Sequence, residues 1–149
     1  MLAALLTIAA ALWTLVIIAT PLAAARGFLP VPVLFVYSVG ALICHQRPDR
    51  SFHLAGIQMP VCARCFGLYA AGAAGLLIAW GVRSMWSMPR SREVLAVAAL
   101  PIAISVGLEW MGLIATTNLV RSMTAVPLGL TAGFVVIAVL GERPRPYRR

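Results

Sequence analysis

Four apolar stretches, at about 2–24, 61–82, 94–115 and 122–140, are each long enough to cross a lipid bilayer. A hydrocarbon core about 30 Å thick needs roughly 20 apolar residues rising about 1.5 Å each. A fifth stretch, 29–44, is marginal. It opens on Pro30 and Pro32, ends at Cys44, and reads either as a short span or as a re-entrant half-helix. Only four carboxylates (Asp49, Glu93, Glu109, Glu142) and no lysine accompany 12 arginines. So few charges cannot clothe a water-soluble surface, and 62% hydrophobic residues with a mean hydropathy of +0.95 lie far outside soluble norms. The expectation is an all-α, polytopic integral membrane bundle of four to five transmembrane helices, forming one domain over 1–149 embedded in the lipid bilayer.

A formal net charge of +8 does not point to nucleic acid. The arginines gather at the ends of apolar runs, where membrane proteins carry topology signals, and no basic stripe is interleaved with aromatics. Arg83, Arg90 and Arg92 fall between the second and third long spans, and Arg143, Arg145, Arg148 and Arg149 in the tail. The positive-inside rule makes both regions cytoplasmic. The polar loop 44–65 is one span away and is therefore extracytoplasmic, whether or not 29–44 crosses. The first stretch resembles a signal peptide through "PLAAARG", but no basic residue precedes it, so a retained first helix is expected. In the second long span, Gly67, Ala71 and Gly75 fall on one face with Gly72 nearby, a spacing that lets another helix approach closely.

The chemistry concentrates in loop 44–65. It holds all three cysteines and both histidines, with the spacing C-x17-C-x2-C. Cys62 and Cys65, three apart on a first helical turn, point the same way and can grip one ion. Cys44 needs only the loop to fold back beside them. A histidine then completes a tetrahedral Cys3His set: His45 is favoured because Cys44 anchors it, and His53 is the alternative. Pro60 marks a helix start, whose dipole, with Arg64, favours thiolate at the cysteines. Arg47, Arg50 and Arg64 either neutralise thiolates and meet headgroups or hold an anionic or quinone-type ligand.

Further polar residues join this end of the bundle. Glu109 lies inside an apolar run, about six residues from the outward end of its helix, and an intramembrane carboxylate is costly enough to be functional or ion-paired by default. Asn118 and Arg121, three apart at the start of the last helix, share the loop's side of the membrane. Glu109, Asn118 and Arg121 therefore either converge with Arg50 and Arg64 on the cysteine site or close the bundle through a Glu109–Arg121 or Glu109–Arg64 pair.

The segments "CHQRPDRSF" and "PVCARCFGLY" resemble the signature of a bacterial and archaeal membrane family, domain of unknown function 2085. The family pattern matches Cys44, His45, Gln46, Arg50, Pro60, Cys62, Arg64, Cys65 and Gly67, and downstream Asn118, Arg121 and Thr124. Where that family often carries an Asp in the preceding helix, this chain offers Glu109. The resemblance implies that the cluster is one site, without naming an activity.

Three readings follow. The first is an extracytoplasmic metal site on Cys44, His45, Cys62 and Cys65, with zinc foremost and iron or copper(I) as soft-ligand alternatives. The second is a membrane thiol–disulfide oxidoreductase using Cys62–Cys65, linked to a quinone. The third is a subunit or assembly factor whose loop docks a protein partner. The pattern argues against c-type haem attachment, because Phe66, not histidine, follows Cys65.

Overall fold

The computed structural model describes residues 1–27, 30–82 and 91–141. The element order is α1 (Leu2–Ala25), α2 (Pro30–Ile43), a 3-10 turn (Pro48–Arg50), β1 (His53–Leu54), β2 (Ile57–Gln58), α3 (Ala63–Val82), α4 (Ser91–Trp110) and α5 (Asn118–Gly141). α1, α3, α4 and α5 are long and apolar enough to cross a membrane. α2, at 14 residues, rises only about 21 Å and falls short of the hydrocarbon thickness. The arginines invoked for orientation, apart from Arg92, lie outside the described residues.

Two helix ends differ from the hydropathy boundaries, each for a local reason. α4 stops at Trp110, not near 115. Gly112 takes a left-handed φ of 71°, its N–H donates to the Glu109 carbonyl (3.1 Å), and the Leu113 N–H donates to the Leu108 carbonyl (3.0 Å). This pair of bonds closes the helix although Leu113 and Ile114 read as apolar. α5 starts at Asn118, not at 122, because the Thr117 hydroxyl caps the Val120 N–H at 3.3 Å. The chain is also not wholly helical. β1 and β2 pair antiparallel, His53 opposite Gln58, across a two-residue turn in which Ala55 (φ 52°) and Gly56 (φ 79°) are both left-handed. A turn of that type usually announces itself by Asn-Gly, and Ala-Gly carries a weaker signal.

The tightest seam joins α3 to α5. A Cβ on Gly67 would collide with the Ser122 carbonyl, and one on Gly75 with the Leu130 carbonyl. α5 reciprocates: a Cβ on Gly129 would lie 2.6 Å from the Leu68 carbonyl oxygen, and one on Gly133 2.6 Å from the Gly72 carbonyl oxygen. Small residues on both helices thus replace the hydrophobic drive that lipid removes. α4 packs on α5, and α1 on α3, where the Trp80 indole donates to the Thr7 hydroxyl at 2.9 Å. Thr7, Thr14 and Thr20 each return their hydroxyl to the carbonyl four residues earlier, so none sits unpaired in hydrocarbon.

Candidate thiolate centre

Cys44 follows α2 directly, and its N–H still donates to the Gly40 carbonyl at 2.9 Å. The chain then reverses at Gln46, which adopts a left-handed φ of 47°. Two glutamines splice this segment to residues 58–60. The Gln46 amide donates to the carbonyls of Tyr37 and Pro60, both at 2.7 Å, and the Gln58 amide donates to the Gln46 carbonyl at 2.6 Å. Tyr37 donates its hydroxyl to the Gln58 carbonyl. Gly40 lets the Pro60 carbonyl press against α2, where a Cβ would collide. Sequence reading placed Gln46 only within a family pattern and missed Gln58 and Tyr37, because a splice between distant backbone carbonyls leaves no spacing signal.

The splice brings Cys44 to the start of α3. The Cys62 N–H donates to the Cys44 sulfur at 3.0 Å, and the Cys62 and Cys65 sulfurs stand 3.4 Å apart. All three sulfurs lie within 4.8 Å of one another, and none is in a disulfide. Cys44 is buried, and Ile17, Met59 and Val61 bed the cluster, with Trp13, Phe66 and Tyr69 packed around it. The hydrogen bond shared with Cys65 lowers the Cys62 thiol to about 5 against the opposing effect of burial, helped by the backbone N–H groups of Cys65 and Arg64 and by Cys44. Oriented N–H groups at a helix start favour thiolate in this way. His45 and His53 are both exposed, and neither joins the sulfur group.

The remaining polar residues form a second cluster beside the first. Glu109 is the penultimate residue of α4, not six residues inside it. Its two oxygens accept from Arg64 (Nη2, 2.8 Å) and Arg121 (Nε, 3.0 Å), and the three side chains are only 7%, 14% and 12% exposed. Arg64 also donates to the Ser105 hydroxyl at 3.0 Å. Arg121 reaches the Asn118 amide oxygen (3.0 Å) and the Asp49 carbonyl (3.3 Å), and Asn118 donates to the Ser51 carbonyl at 2.9 Å. α3, α4 and α5 are therefore locked at one end, and the loop is tied down onto the lock. Both ion pairs weighed for Glu109 form at once. Arg50 and Arg47 pair with Asp49 at 3.5 and 3.3 Å on the exposed side of the loop.

With the geometry in place, comparisons with known proteins agree in one direction. A family model described as "Predicted membrane protein (DUF2085)" matches residues 44–135. An uncharacterized protein of Methanocaldococcus jannaschii is 34% identical over 109 residues, covering 72% of this chain and 69% of the relative. An uncharacterized protein of Methanothermobacter thermautotrophicus is 30% identical over 88 residues, covering 59% of this chain and 78% of the relative. No solved structure matches.

Proposed function

The chain belongs to the domain of unknown function 2085 family of membrane proteins, and we propose that Cys44, Cys62 and Cys65 hold a zinc-like transition-metal ion at the extracytoplasmic end of its helical bundle. The observation that carries this reading is the convergence of three sulfurs from two separate helix ends. Thiolates about 2.3 Å from a common ion stand about 3.8 Å apart in a tetrahedron. Cys62 and Cys65 stand at 3.4 Å and no pair exceeds 4.8 Å, so shifts of about an ångström bring the three sulfurs to that value. The Cys62 N–H on the Cys44 sulfur is the outer-shell contact that orients a ligand and tempers its charge. The fourth position falls to a donor from solution, or to His45 if its exposed side chain turns in toward the sulfurs. An open position of this kind suits a metal that is handled or exchanged rather than sealed in. The extracytoplasmic placement rests on the arginine bias of the opposite ends.

Elemental analysis of the detergent-purified protein, combined with thiol titration, tests the reading. The expected result is about one metal per chain, with all three thiols protected until a chelator is added. A Cys62–Cys65 disulfide in metal-free protein would contradict it and favour the second reading, thiol–disulfide exchange. That reading draws on the 3.4 Å sulfur separation and the acidified Cys62 thiol. It requires a two-electron acceptor to take the electrons and protons released as the disulfide forms.

A further inference from the structure

The sulfur centre has a closed side and an open side. On the closed side Cys44 is buried, and Ile17, Met59 and Val61 are fully buried against it. Cys62 and Cys65 are only half-buried, so a fourth donor reaches an ion on the three sulfurs from their side. That side is the first two turns of α3, and Tyr69 stands there.

The register of α3 aims Tyr69 at the sulfurs. It follows Cys65 by four residues and Cys62 by seven, so the three share one helix face. The Phe66 N–H donates to the Cys62 carbonyl at 2.9 Å, which brings Cys62 into the same helical turn. Helical side chains lean toward the N-terminus and cover the turn before their own Cα, so the Tyr69 ring lies over the turn of Cys65. The packing agrees. The ring packs against the sulfur cluster, edge-on to Trp13 with centroids 6.4 Å apart, and all three sulfurs act electrostatically on its hydroxyl. The cleft that the ring borders beside Leu68 and Leu76 is lined by apolar atoms, so the hydroxyl points elsewhere. Tyr37 donates its hydroxyl to the Gln58 carbonyl. Among the described residues the Tyr69 hydroxyl has no protein partner, the sulfurs included.

We propose that Tyr69 is a positioning residue of the metal centre, its hydroxyl donating a hydrogen bond to a small anionic donor in the fourth position. The proposal rests on the metal reading and names the class of ligand that the open position takes. Two features select that class. A phenol so placed offers its proton to a coordinated atom that keeps a lone pair, and the bond is stronger when that atom is anionic. Arg64 and Arg121 share the single carboxylate of Glu109, which leaves a net positive charge at the same end of the bundle.

Cobalt(II) loaded into the detergent-purified protein and titrated with sodium azide tests this by absorption spectroscopy. A thiolate-to-cobalt charge-transfer band should appear on loading, and azide should change the visible cobalt bands saturably. Tyr69→Phe keeps the ring and its packing on Trp13. It should weaken azide binding about tenfold, the worth of a hydrogen bond to a charged group, with the charge-transfer band and cobalt stoichiometry unchanged. Imidazole, whose coordinated nitrogen keeps no lone pair, should bind both proteins alike, whereas general damage to the site would weaken both ligands. Equal azide affinity in the two proteins would overturn the proposal, as would an unsaturable azide response or an equal loss of azide and imidazole binding. A shifted charge-transfer band in Tyr69→Phe would also overturn it, since the ring would then be shaping the sulfur shell itself. Absence of that band in the unsubstituted protein would remove the metal reading and this proposal with it; a normal band with equal azide affinity removes this proposal alone.

Discussion

The α3–α5 seam and the loop that carries the cysteines are held by different means. In the seam, two backbones touch through missing side chains, and its geometry is fixed by what cannot fit at Gly67, Gly75, Gly129 and Gly133. The loop also buries Met59 and Val61 against Ile17, and polar bonds add to that packing. Amide and guanidinium donors from Gln46, Gln58, Asn118 and Arg121 bind backbone carbonyls. The contrast follows from the surroundings. A seam within lipid gains little from burying more hydrocarbon and relies on close contact. A loop at the bundle's end must satisfy its own peptide groups or leave them unpaired.

Substitutions sharpen this contrast when ordered by expected effect. Gly75→Leu should be the most damaging, since the Leu130 backbone has to move; the expected outcome is no monodisperse protein in detergent by size-exclusion chromatography. Survival of a folded bundle would mean that the seam yields more readily than its geometry implies. Glu109→Ala leaves two nearly buried guanidinium groups without their shared anion. Breaking a buried pair by removing one partner costs about 3–5 kcal/mol, which chemical unfolding in mixed micelles should register. A loss below about 1 kcal/mol would show that the lock is fully solvated.

Gln46→Ala comes next. It strips the Tyr37 and Pro60 carbonyls of their shared donor, at about 1–3 kcal/mol. It should also loosen Cys44 relative to Cys62, seen as faster alkylation of Cys44 in metal-free protein. Unchanged alkylation would break the link between splice and sulfur cluster. The smallest effect belongs to Gly72→Ala, expected within about 0.5 kcal/mol because the new methyl meets only an ordinary contact. A large loss there would return Gly72 to the seam.

The two regions were unequally legible in the sequence. The long spans and the small-residue face of α3 could be read directly, because hydropathy and helical spacing report lipid exposure and close approach. The convergence of Cys62 with Cys65 was equally local, two residues one turn apart. What escaped was the hydrogen bonding that ends helices, turns the loop and splices it through glutamine side chains. The closing bonds at Gly112 ended α4 within an apolar run, the Thr117 cap began α5 early, and the Ala55–Gly56 turn made a hairpin inside a polar loop. Glu109 was recognised as costly, yet its simultaneous grip on Arg64 and Arg121 depends on where α4 stops. The sulfur triad shows both limits. Spacing anticipated the three cysteines, whereas His45, adjacent in sequence to Cys44, stands exposed and apart from the sulfurs.

The central claim concerns what those sulfurs hold, and X-ray absorption at the metal edge of the zinc-loaded protein in detergent tests it most directly. The account predicts a first shell of three sulfurs at about 2.3 Å with one nitrogen or oxygen near 2.0–2.1 Å, and loss of one sulfur in Cys44→Ser. A shell of nitrogen and oxygen alone, unchanged by Cys44→Ser, would contradict it.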